Sequence, residues 1–195
     1  MPMKAFRSVV TGSLLALSFS CSRAETPPSS ALSRSATIKD IMDSMVDPSG
    51  DFLFESIQVI ADEKGVRQVA PETDEQWKEV RRRALILFEA PNLMAMEGRK
   101  VAQPGEKAEY PEVELQPEQI QKLLDEDRAS FIRRAKRLQD AADAVLQAAG
   151  AKDKDALFMA VDKIDKACEN CHLHYWYPND KRAQEAAKEE GLVID

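Results

Sequence analysis

Cys168, Cys171 and His172 stand in the order Cys-Glu-Asn-Cys-His, and His174 follows two residues on. The whole chain has only three cysteines and two histidines in 195 residues, so two of the former and both of the latter fall within seven positions. On a helix, positions i and i+3 project to one side, and the histidine at i+4 from the first cysteine shares that side. Two thiols so placed can form thioethers with the two vinyl groups of one porphyrin, while the imidazole reaches the iron. Cys-x-x-Cys-His is the attachment pattern of a covalent c-type haem, so Cys168 and Cys171 are the expected points of attachment and His172 the expected proximal ligand of a single haem c. A redox Cys-x-x-Cys would want a βαβ context that the chain lacks. A zinc site would need His174 beside His172, but two residues along a helix turn it roughly 160° away. A disulfide between Cys168 and Cys171 would close only a tiny ring within one helix.

The other axial position decides what such a haem does. A methionine thioether there makes a six-coordinate iron of raised potential, suited to electron transfer, and an apolar residue leaves the iron open to NO or CO. Beyond Met1 and Met3 the methionines are Met42, Met45, Met94, Met96 and Met159. Met42 and Met45 lie on an apolar stripe and are the two candidates for the iron, the alternative being that both are ordinary core filler. Met159 is off its helix's seam, and Met94 and Met96 follow a proline. No acid–base or nucleophile constellation accompanies the motif, so no enzyme is expected.

Four amphipathic helices would have to position these residues. The first begins at Thr37, with Asp40 three residues on as a partial capping box and Ile38, Ile41, Met42 and Met45 on one face. Asp47 and Pro48 interrupt and restart it, and Phe52, Leu53, Ile57 and Ile60 carry it to about Asp62. The second opens on the Thr73–Gln76 box, carries Trp77, Val80, Ala84, Leu85 and Phe88, and ends or kinks at Pro91. A long loop rich in proline and glycine follows; in it, Arg99 and Lys100 are candidates for haem propionates or merely solvated cations. A third helix is expected from Pro117 to Ala149, with Gly150 as its stop. The fourth starts near Asp153 and carries Leu157, Val161, Ile164, Cys168, Cys171 and Tyr175 at alternating spacings of four and three, the seam of a bundle helix. The arginines of Val-Arg-Arg-Arg-Ala at 80–84 read as a solvated face, and Trp77 as core. Few stretches show the alternation of strands. The fold class is therefore all-α, a four-helix bundle with its haem near the C-terminal helix.

The N-terminus reads as an export signal over residues 1–20: Lys4 and Arg7, then an uncharged apolar run too short to span a bilayer. Two processing routes compete: lipid modification at Cys21 and cleavage after Ala24. The Ser- and Pro-rich stretch 21–36 reads as a tether, which suits the anchored form. Residues 37–178 form the bundle and 179–195 a charged tail with room for a short helix from about Asp180, capped by Asn179 and closed by Gly191. Both routes put the domain in the periplasm, lipid-anchored at the outer membrane in the first. The chain's net charge of −7 falls further once Lys4, Arg7 and Arg23 leave. That excludes nucleic acid as a partner and favours a redox protein with a basic docking face. Whether the protein is a monomer or a homodimer is left open.

A haem motif on the last of four helices, after a long third helix, resembles the class II c-type cytochromes, the group of cytochrome c prime and its low-spin relatives. The stretches Thr37–Pro48 and Ala167–Pro178 carry the likeness, which covers roughly residues 36–178. In the low-spin relatives a first-helix methionine is the distal ligand. The resemblance therefore implies Met42 in that role, with Met45, one turn on, as second choice. Cytochrome c prime proteins usually carry a cation four residues after the haem histidine. Trp176 stands there, although Tyr175 fills the preceding aromatic position. The difference favours an electron carrier over a gas-binding protein.

Overall fold

The structure, a computed structural model, describes residues 34–192. The expected export signal, Cys21 and most of the expected tether lie outside the described residues. The elements are α1 (Ile38–Ile41), a π-helical turn (Met42–Val46), α2 (Asp47–Ser56), β1 (Gln58–Asp62), β2 (Gly65–Val69), α3 (Asp74–Met94), α4 (Pro117–Glu126), α5 (Arg128–Ala151), α6 (Lys154–Tyr175) and α7 (Lys181–Glu189). The run from α1 to α2, together with α3, the α4–α5 pair and α6, makes a four-helix bundle. Within it α5 packs against both α3 and α6, and α2 reaches α3 and α6. Leu53, Val80, Leu87, Val145, Leu157 and Ile164 are wholly buried at its centre. No helix among the described residues is long and apolar enough to cross a membrane.

Both expected capping boxes close. Thr37 Oγ1 accepts from the Asp40 amide at 3.1 Å while Asp40 Oδ2 accepts from the Thr37 amide at 2.8 Å. Thr73 and Gln76 do the same at 3.3 and 3.0 Å. Pro48 does not stop the first helix. It has no amide to donate to the carbonyl four residues back, and the π turn just before it takes up that mismatch, with the Asp47 amide reaching back to the Met42 carbonyl. The wider turn also keeps the buried stripe in line. Ile41 and Val46 are both buried although five residues apart, a spacing that would turn them about 140° apart on a regular α-helix.

Several expectations are corrected. The first helix ends at Ser56, not near Asp62, and residues 58–69 form an antiparallel hairpin with Asp62 paired to Gly65 across the loop Glu63–Lys64. Ile57, Val59, Ile60, Val66 and Val69 are β-branched and favour extended backbone, and Gly65 takes a φ of +113° at the turn. The expected third helix is two helices: Asp127 leaves helical geometry (φ −136°, ψ 70°), and its carboxylate caps α5 by accepting from the Ser130 amide at 2.9 Å. Gly150 stays helical and Lys152 supplies the left-handed stop (φ 53°). On α3, Leu87 rather than Leu85 or Phe88 is fully buried, and Pro91 sits inside a helix that runs on to Met94. Trp77 is core, as its spacing suggested. The last helix, α7, is capped by Asp180 rather than Asn179 and closed by Gly191 at φ +74°. Asp127→Ala should lower stability by about 1 kcal/mol, the usual cost of losing an N-cap, read as a lower urea midpoint at unchanged m.

The loop 95–116 straps the start of α1 to the end of α6. At one end the Ile38 and Lys39 amides, orphans of a helix start, donate to the Lys100 and Val101 carbonyls at 2.8 and 2.9 Å. At the other the Leu115 amide donates to the Trp176 carbonyl at 2.7 Å, just past α6. Of the two expectations for Arg99, a propionate partner or a solvated cation, the second is corrected. Arg99 is buried, donating to the Leu93 and Ala36 carbonyls and contacting Met96 Sδ at 3.1 Å.

Candidate functional site

Helix α6 begins at Asp153, whose carboxylate accepts from the Ala156 amide at 3.0 Å. Leu157, Ala160, Val161, Ile164 and Ala167 bury its inner face. Cys168 and Cys171, the expected points of haem attachment on that seam, are half-buried free thiols on the wall of an apolar cavity. Its lining includes Cys168, Cys171, His172, Met42, Met94 and Arg134. A second hollow shares Met42, His172 and Trp176 with it and opens toward Lys39, Lys107, Glu109 and Glu114. The closed space within them is small, about 30 and 180 Å³.

The candidates separate here. Met42, the first residue of the π turn, lines both spaces. Met45 is half-buried against the core and lines neither. His174 turns to α5, where its Nδ1 accepts from Arg134 at 3.1 Å and its ring stands edge-on to Tyr175. Lys100 is exposed and serves through its carbonyl.

Burial sets the protonation of the site. It pushes the Cys168 thiol up to about 12, helped by the neighbouring Cys171 and Asp165. It pushes Cys171 up to about 11 against the pull of Arg134. Both are neutral thiols near neutral pH, the opposite of the low-pKa cysteine of a redox Cys-x-x-Cys. Burial also lowers His172, opposed by Glu114, which keeps the imidazole neutral with a lone pair to donate. The His172 ring lies 5.7 Å from the ring of Tyr177 and 6.3 Å from that of Trp176, so it is held between aromatic neighbours.

The two residues between the cysteines are also fixed. Glu169 accepts from the Tyr177 hydroxyl at 2.7 Å, and Asn170 from Arg137 at 2.9 Å. Burial and the Glu169 carboxylate raise the Tyr177 hydroxyl well above its ordinary range, so it stays a donor. Sequence reasoning missed Met94, Arg134 and Tyr177 as parts of the site. For Arg134 the signal was present: it falls on the core stripe of Phe131, Ala135 and Leu138, where a charge is out of place.

A four-helix bundle that turns Cys-x-x-Cys-His and a facing methionine into one apolar cavity has the build of a c-type cytochrome. Residues 106–176 match the family model described as Cytochrome C', so this part of the chain is similar to the class II, cytochrome c prime-like proteins. The match takes in the end of the strap loop, α4, α5 and α6 with the whole Cys-Glu-Asn-Cys-His motif, and leaves out Met42. Comparison with curated proteins found no match, and comparison with solved structures found none.

Proposed function

We propose that the protein carries single electrons as a mono-haem cytochrome, its iron held between His172 and Met42. One observation carries this reading: two elements far apart in sequence, the π turn and α6, line a single cavity with Met42, His172 and both cysteines. The donor set suits the group, with two neutral thiols at i and i+3, a neutral imidazole beside the second, and a thioether from another helix. Bound haem would supply one-electron iron chemistry. The chain's own residues do the rest. Cys168 and Cys171 fix the porphyrin edge, the aromatic neighbours orient His172, and the apolar wall excludes water. Turnover of a substrate is not part of this reading. The basic-then-apolar N-terminus adds export to the periplasm, with Cys21 as the site of a lipid anchor. The acidic balance adds a redox partner with a basic docking face.

The ferrous absorption spectrum tests the reading. Sharp, split α and β bands that do not change on adding CO are expected. A broad Soret band that shifts with CO would replace this reading by a five-coordinate gas-binding one. Protein made with the haem-attachment machinery and still lacking a haem spectrum would remove both.

A further inference from the structure

Arg134 sits in the second turn of α5 and is 3 % exposed, one of six buried polar or charged residues among those described. Its guanidinium donates to Ser130 Oγ and to His174 Nδ1, and lies 5.8 Å from the centre of the Tyr175 ring. None of these partners is a carboxylate, and its Nε has no hydrogen-bond partner. An arginine keeps its charge in proteins, and a buried cation without an anion costs several kcal/mol. The fold nevertheless keeps this one on the wall of the cavity that Cys171, His172 and Met42 share.

We infer that Arg134 raises the reduction potential of the site by holding an uncompensated positive charge against the oxidised state. The inference rests on the cytochrome reading above. Uptake of one electron lowers the charge of the centre by one, with no proton gained or lost by Arg134. The oxidised centre therefore feels the larger repulsion. At an effective dielectric of about 20, a unit charge within about 12 Å shifts the ferric–ferrous equilibrium about tenfold. Burial removes the screening that would blunt the same charge at the surface. Sequence position hides this effect, because Arg134 lies 38 residues before His172 in the chain and meets it only through α5–α6 packing.

Spectropotentiometric titration of full-length, haem-loaded protein with dithionite as the reductant tests the inference. Arg134→Gln keeps a polar group for Ser130 and removes only the charge, and Arg134→Met removes both. Each should shift the equilibrium toward the ferric state by at least tenfold, a midpoint about 59 mV lower for one electron. Arg134→Lys should stay within twofold of the parent. A loaded neutral variant with an unmoved midpoint overturns the inference. So does a lysine variant that falls as far as the neutral ones, since that marks packing rather than charge. Should neither neutral variant load, the lysine variant decides alone, a tenfold displacement counting against the inference. A parent protein without covalent haem is a separate failure, that of the cytochrome reading itself.

Discussion

Met42→Ala should convert a ferrous protein indifferent to CO into one that binds it, with a shifted Soret band and loss of the sharp α band. The side chain lines the same cavity as His172, and Ile38, Phe131 and Leu138, which share that wall, offer no ligand in its place. Truncation to alanine thus leaves an open coordination position in an apolar pocket, the arrangement that favours a small neutral gas. The midpoint potential should fall as well, because the thioether favours the reduced iron. Two controls separate ligation from packing. Met45→Ala, on a side chain that lines neither space, should leave the spectrum unchanged. Met94→Ala, at the cavity wall on α3, should cost stability without opening the iron. CO binding in the Met45 or Met94 variant, with none in Met42→Ala, would show that the wrong methionine has been assigned.

The Cys168→Ala/Cys171→Ala double variant should lose all covalent haem. A denaturing gel stained for haem should show a band for the parent and none for the double variant, and acidified acetone should extract any haem that remains. Each single variant should keep one thioether and a weaker band. The loss extends to the fold. Haem held there would pack against the apolar wall of the cavity, and its loss would leave that wall without partners. A stability loss on the order of 3 kcal/mol or more is expected in urea, a large share of the roughly 5–15 kcal/mol that holds a domain of this size together. A haem-stained band of parental strength from the double variant would remove the two cysteines from the site.

Several local signals in the chain were read correctly because one short-range interaction decides the backbone there. The boxes at Thr37 and Thr73, the cap at Asp153 and the seam of α6 are of that kind, and Cys-x-x-Cys-His needs only a helix to acquire its geometry. What escaped depends on competition between neighbours. Ile57 and Ile60 have helical spacing, yet their β-branching and the glycine at 65 settle the matter for a hairpin. Asp127 reads as one more polar residue of a long helix until its carboxylate takes the Ser130 amide and ends one helix to start another. The π turn is invisible to any count by 3.6, because it is the break in that count that keeps Ile41 and Val46 together. Arg99 looks like a surface charge in the sequence, and Arg134 like a charge out of place on a core stripe. Only the packing of distant segments surrounds the first with carbonyls and places the second on the cavity wall. Met42 was preferred on resemblance, and the family match itself does not extend to it; its position across from His172 is a matter of tertiary structure.

The hairpin of residues 58–69 enters and leaves the bundle at one place. Gln58 pairs with Val69, so the chain crosses into and out of the strands within about 5 Å. Val59 and Val66 point to solvent, and the strands contribute little to the central core. The segment is therefore a cassette: α2 and α3 meet at its base whether the excursion is long or short. A spectroscopic label, an affinity tag or a foreign peptide could be carried at Glu63–Lys64 without disturbing the helices that hold Met42 and His172. Length variation between related chains is best accommodated at this point of the architecture.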